Sequence, residues 1–287
     1  MAFFIKSSDH LKATSLVGML NQRLSGFAPA RSHKRVHASD LTKEDKEFCP
    51  REYAITDLTK KERKGSFITA AMQVAFDNGN DLHDRVRDDW LRDSAVGNWK
   101  CRHCNHLVAF SKTPKIGCPK CGDKRWQYDE INLVDDLTGV SGSIDFIVDM
   151  GEPKHIMVEI KSMDKDAFNA LEAPLSEHRV RTNLYLELLA RSSNPIKHRI
   201  NQDVAIVLYV SKAFGVKHAD LGKVLPFKEF RVKKGTAPLT AMLERAEELK
   251  KFRDKTVPMP ATKICPTAVC KRAKECGVAA ECFSGVF

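Results

Sequence analysis

The sequence predicts an α/β fold, a mixed central sheet flanked by helices, from three observations. Residues 140–163 (VSGSIDFIVDMGEPKHIMVEIKSM) alternate as two short strands around a turn. Residues 203–210 (DVAIVLYV) form a continuous apolar run bounded by polar residues, the mark of a strand buried on both faces. Three stretches, 66–92, 174–191 and 237–253, carry apolar residues at helical spacing.

In the paired stretch, Ile144, Phe146 and Val148 alternate with Ser143, Asp145, Ile147 and Asp149, and Ile156, Val158 and Ile160 alternate with Met157, Glu159 and Lys161. Gly151, Glu152 and Pro153 supply turn chemistry between them. A hairpin centred on Glu152 sets Asp145 opposite Glu159. Residues two apart on a strand share a face, so Lys161 falls beside Glu159. Two carboxylates and an ammonium at one strand end describe a divalent-metal site with a cation next to it. Oxygen donors select Mg²⁺ or Mn²⁺, and such an ion suits hydrolysis of a phosphodiester. The ordinary reading of the same residues is a surface hairpin with a wet polar face.

Around this centre the other elements follow in order. Residues 1–46 read as an N-terminal arm, with a short helix over 11–24 and a basic loop, Arg31 to His37, for which a phosphate contact is the alternative. Phe48-Cys49-Pro50-Arg51 opens the ordered region, with a proline placed to start a helix. The helix over 66–92 is interrupted at Asn78-Gly79-Asn80, where it bends or a second helix begins. His83 lies one turn beyond, and alone on such a face it reads as a structural histidine. Residues 227–232 form a possible edge strand.

The chain has 287 residues, 43% hydrophobic and 29% charged, as a soluble globular protein has. No apolar run is long enough to span a membrane, and no signal peptide is visible, so the cytoplasm is the expected location and no membrane partner is expected. A net charge of +10 favours a polyanionic partner, nucleic acid first. Nine cysteines then point to metal rather than disulfides. Cys101-x2-Cys104 and Cys118-x2-Cys121 have the spacing of a four-cysteine zinc ribbon over residues 97–127, rich in Lys and Arg. It serves as a clip on an insertion, as a nucleic-acid contact, or as both. Cys265, Cys270, Cys276 and Cys282 are spaced irregularly, and with Cys49 they offer five thiolates for the four places of an iron–sulfur cluster; a second zinc site is the alternative.

Gly79-x3-His83, then Asp145, then Glu159-Ile160-Lys161, resemble the successive motifs of the PD-(D/E)XK nucleases of RecB type. One cysteine before these motifs and a group after them is similar to the iron–sulfur branch, which includes AddB-type helicase–nuclease subunits and CRISPR-associated exonucleases. The resemblance covers roughly residues 48–282. It implies a restriction-endonuclease-like sheet, metal binding by His83, Asp145, Glu159 and the Ile160 carbonyl, and a Lys161 that assists the attacking water. It also implies a 4Fe–4S cluster that staples the two ends of the domain together. Tyr185 corresponds to a DNA-positioning tyrosine on the next helix, with Arg181 standing where the family often has Gln. The ribbon is an insertion outside the family core, and the tail spacing departs from the commoner close pair followed by a third Cys.

The expected organisation is a nuclease core over 47–262, interrupted by the ribbon, and a cysteine tail over 263–287 that closes on Cys49. The expected function is metal-dependent hydrolysis of DNA, with exonuclease action on ends favoured through the resemblance, in recombination, repair or mobile-element processing beside helicase or recombination proteins. The rival is a catalytically silent nucleic-acid-binding or assembly module that keeps the fold and metals as structure.

Overall fold

The computed structural model describes residues 15–28, 34–43, 47–61, 67–212, 225–235 and 239–286. Expectations for residues 11–14, 31–33, 66 and 237–238 fall outside these residues. In chain order the elements are α1 (Leu16–Leu24), β1 (Gly26–Phe27), β2 (Val36–His37), α2 (Ala38–Leu41), α3 (Pro50–Thr59), β3 (Phe67–Ile68), α4 (Ala70–Asp84), β4 (Val96–Cys101), β5 (Leu107–Lys112), β6 (Trp126–Asp129), β7 (Ile131–Asp135), β8 (Val140–Ile144), β9 (Phe146–Val148), β10 (His155–Met163), α5 (Lys165–Ala170), α6 (Ser176–Arg191), β11 (Ile200–Ser211), β12 (Phe227–Lys233), α7 (Leu239–Arg253), α8 (Lys271–Lys274) and α9 (Ala279–Phe283).

The fold is α/β, with a mixed four-stranded sheet in the order β12-β11-β10-β9. β10 runs parallel to β11 and antiparallel to β9, and β12 closes the far edge antiparallel to β11. The apolar run of β11 is therefore interior, as its composition requires, and residues 227–232 are the edge strand. The hairpin register is the one read from the sequence. Ile156 pairs with Val148, Met157 with Ile147 and Val158 with Phe146, so the next step sets Glu159 opposite Asp145.

The first strand of the hairpin is split at Asp145. β8 belongs to a second sheet, β2-β8-β7, and β9 to the main one, so Asp145 stands where the chain passes between sheets. Helix α6 packs its Leu184, Leu186, Leu188 and Leu189 into the core shared by both sheets, with Leu133, Val140, Ile147 and Met157.

Two expectations are corrected. The helix at 66–92 begins later, at Ala70, capped by the Thr69 hydroxyl, and it runs unbroken through Asn78-Gly79-Asn80. Gly79 is there for close approach: a Cβ would lie 3.1 Å from Ser162 Oγ, where α4 crosses the end of β10. The irregularity comes after Asp84, in a π-turn from Arg85 to Trp90. Second, the described part of the basic loop is no free arm, because Val36 and His37 pair in parallel with Val140 and Ser141.

The ribbon, expected to be an insertion that folds about its metal, packs directly onto the main sheet. Its strands form the sheet β5-β4-β6, but Trp99, Cys101, Cys118, Trp126 and Tyr128 share one apolar cluster with Phe146, Val158 and Ile160 of the main sheet. The rings of Trp99, Tyr128 and Phe146 meet in sequence, with centroids 5.4 and 5.5 Å apart. Gly97 makes this possible, since a Cβ there would sit 2.4 Å from the Tyr128 hydroxyl. Each aromatic contact adds about 1 kcal/mol beyond the burial itself. The ribbon is thus fastened to β9, the strand that follows Asp145.

Candidate active site and cysteine centres

Asp145, Glu159 and Lys161 come together at the end of the hairpin. Glu159 is 2% exposed, so the wet-face reading of these residues does not hold. Asp145 Oδ2 accepts the Ile160 backbone N–H at 3.0 Å, which fixes the carboxylate across the hairpin. Lys161 Nζ lies 2.6 Å from Glu159 Oε1, 3.1 Å from the Ile160 carbonyl oxygen and 3.9 Å from Asp145 Oδ2. One ammonium therefore collects oxygens from three residues, and this all-oxygen set is the donor chemistry of a hard divalent cation.

The electrostatics agree with that arrangement. Burial and the Asp145 carboxylate push the Glu159 carboxyl up to about 7, against the pull of Lys161. Burial works against the Lys161 ammonium, but Glu159 and Asp145 outweigh it and its pKa is raised. Two carboxylates this close repel unless a cation lies between them. His83, on the last turn of α4, feels Asp145 and Lys161. Burial holds its pKa below 6.5, with Lys161 and Arg87 adding to the effect, so the ring is neutral, as a metal ligand must be. Among the described residues the one His, Cys, Asp or Glu group whose ligand atoms all lie within 4.8 Å of one another is the ribbon quartet. His83, Asp145 and Glu159 are not drawn together to that distance; the Lys161 ammonium fills the centre instead.

Asp145, Glu159 and Lys161 line a cleft of about 790 Å³. Arg181 and Tyr185 of α6 line it, as do Lys34, Arg35 and His37. Arg181 pairs with Glu177 and donates from Nε to Thr42 Oγ1 at 3.3 Å. Tyr185 lies against the Gly142 backbone, where a Cβ would be 2.5 Å from its ring.

Sequence reasoning missed Arg87 and its partners. This buried guanidinium donates to Glu130 Oε1 at 2.7 Å, to Asp84 Oδ1 at 2.5 Å and to the Asp145 carbonyl at 3.4 Å. Its neighbour Asp88 accepts the Tyr128 N–H at 2.9 Å and pairs with Arg102 at 3.2 Å. A chain of contacts thus runs from the ribbon to the backbone of Asp145. The π-turn, a frequent feature of functional sites, was its one local signal, and it has no sequence signature here.

The four ribbon thiols are preassembled. Cys101 Sγ is 3.5 Å from Cys121 Sγ, and Cys104 Sγ is 3.6 Å from Cys118 Sγ. A tetrahedral ion with metal–sulfur bonds near 2.3 Å sets its sulfurs about 3.8 Å apart, so the quartet fits zinc. In the tail, Cys49, Cys265, Cys276 and Cys282 line one small cavity with Glu52 and Arg272. Cys270 adjoins Cys265 and caps α8 through its sulfur. These thiols are not drawn to single-ion distance. Arg272 bonds Cys265 Sγ at 3.4 Å and Glu52 Oε2 at 2.7 Å, and Arg51 reaches the Pro260 carbonyl at 3.2 Å, so this part of the chain lies against α3.

The sequence matches no protein-family model and no curated protein. Among solved structures the chain is similar to LHK-Exo bound to dAMP, at 13% identity and TM-score 0.42 over 78% of this chain and 89% of the other. It is also similar to LHK-Exo itself, an alkaline exonuclease from Laribacter hongkongensis, at 12% identity and TM-score 0.39 over 78% and 93%. A third similar structure is SSO0001, at 14% identity and TM-score 0.36 over 81% and 82%. Likenesses this distant carry no functional argument, which rests on the side chains above. Among the described residues no helix is long and apolar enough to cross a membrane.

Proposed function

We propose that this protein is a divalent-metal-dependent nuclease that hydrolyses DNA phosphodiester bonds, acting on ends rather than at internal positions. The observation that carries the reading is the oxygen set of Asp145, Glu159 and the Ile160 carbonyl gathered on one ammonium. With His83 beside them, these groups would hold Mg²⁺ or Mn²⁺. Such an ion, when bound, makes water more acidic and offsets the charge that develops on phosphate.

The chain's own residues do the rest. Lys161, set among these oxygens, would orient the attacking water and offset charge on the phosphate. Arg87 holds the Asp145 backbone in place and Arg181 is set to meet a neighbouring phosphate. Tyr185 packs the cleft wall. The preference for ends comes from the resemblance of the sequence motifs to the iron–sulfur branch of the RecB-type nucleases. The ribbon quartet would hold zinc, and four of Cys49, Cys265, Cys270, Cys276 and Cys282 would hold a 4Fe–4S cluster. The positive Arg272 beside them suits an anionic thiolate cluster.

The test is cleavage of labelled single- and double-stranded DNA with Mg²⁺ or Mn²⁺. Asp145→Ala and Lys161→Ala should each lower kcat by more than about a hundredfold while DNA still binds, because they remove interactions made in the transition state. Wild-type rates in both variants would place the chemistry elsewhere. A wild-type protein that binds DNA and never cuts it would be the silent module.

A further inference from the structure

The basic segment ahead of the core takes no part in the chemistry, yet Lys34 and Arg35 line two clefts at once. One is the cleft of Asp145, Glu159 and Lys161. The other, of about 180 Å³, lies between β2, β7 and helix α7, and it adds Lys250 and Arg253. Val134 also borders both. The two clefts are therefore neighbours across the same short stretch of chain.

The second cleft is built and not incidental. Gly139 has φ +70° at the turn before β8, and the Lys250 stem lies over it, with Cδ 3.2 Å from where a Cβ would be. Lys250 also pairs with Asp254, and Arg253 binds Asp57 and the Lys34 carbonyl, so helix α7 is tied to the segment that carries Lys34. Asp136 is the one carboxylate in the lining, against four cations.

From this geometry the structure assigns a second phosphate-binding cleft to Lys34, Arg35 and Lys250, a track along which a polynucleotide strand leaves the active site. The inference rests on the nuclease reading and adds to it the route of the strand. A mononucleotide occupies one cleft only. A strand carries a phosphate at every step, and it is the ligand whose charge repeats along a path through both. Contacts to phosphate fix position and carry no sequence information, so the track would hold any strand of suitable form.

Each phosphate contact releases counterions, so the slope of log K against log salt measures their number, at about 0.7 per contact for a single strand. The experiment uses full-length protein with Asp145→Asn throughout, to keep the probe uncut, and a short fluorescent single-stranded oligonucleotide over a salt series. Arg35→Gln and Lys250→Gln should each make the slope shallower by about 0.7, and the pair by about 1.4. Lys154→Gln, an exposed lysine at the opposite end of β10 from Lys161, should leave it unchanged. Slopes unchanged in both Arg35→Gln and Lys250→Gln would overturn the track, as would an equal fall in Lys154→Gln. Cleavage by the wild-type chain is read separately. If it cuts DNA while the slopes stay fixed, the track fails alone; if it cuts nothing, the nuclease reading fails.

Discussion

The two groups of cysteines differ in how far along the sequence their members lie. The ribbon quartet comes from residues within one short stretch, its sulfurs sit near the spacing of a single ion, and its strands are packed by Trp99 and Trp126 into the core of the main sheet. The other group sets Cys49 beside residues more than two hundred positions later, around a small cavity that Arg272 and Glu52 also line. A local centre shapes one corner of the molecule. A centre that spans the domain constrains the whole unfolded chain. The difference teaches that the position of ligands along the sequence, more than their number, decides what a metal centre stabilises.

The largest effect is expected at Cys49. For a covalent crosslink over this span the entropic model gives on the order of 5 kcal/mol, and a cluster acts in the same direction. That is comparable to the net stability of a typical domain. Anaerobically purified protein should be brown, with about four irons per chain. Cys49→Ala should be colourless and aggregating. If that variant stays brown and folded, the tail binds its cluster without stapling the two ends, and the contrast between the two centres disappears.

Next comes the ribbon. Cys101→Ser with Cys118→Ser should remove one zinc per chain. Because the ribbon shares its core with the strand after Asp145, the loss should lower the urea midpoint by the equivalent of about 3 kcal/mol and should lower cleavage with it. A free-standing insertion would lose its zinc and leave both unchanged, and metal analysis with urea titration tells these apart.

A smaller effect separates the two charged pairs that flank the centres. Arg272 and Glu52 have side chains 16% and 7% exposed, so Arg272→Ala strands a buried carboxylate and should cost about 3 kcal/mol. Arg102 is half exposed, and Asp88, itself 6% exposed, keeps the Tyr128 N–H when Arg102 is lost, so Arg102→Ala should cost less than about 1 kcal/mol. Equal costs by urea titration would mean that the ribbon pair is as dry as the tail pair.

What the sequence by itself determined is local or carried by spacing. Alternation around Glu152 was enough to set Asp145 opposite Glu159 and Lys161 beside it, because a strand's side-chain period is two and a short turn leaves one register. The four ribbon cysteines announced a four-thiol group through their paired knuckles, and Pro50 marked the start of α3 directly after Cys49. Tertiary structure alone decided the rest. Gly79 looks like a helix breaker and is a packing glycine, because what it meets is Ser162, more than eighty residues away in sequence. Arg87 reads as one more charge on a helix, and its role comes from Glu130 and the Asp145 carbonyl, brought in by other strands. Lys34 and Arg35 read as a loop and line two clefts because β2 pairs with β8. Trp99 and Trp126 mark the ends of the ribbon in the sequence, and only the fold shows that they belong to the core of the main sheet. Periodicity reports which face of an element is apolar. It does not report which distant face covers it, since that is settled by the packing of the assembled chain.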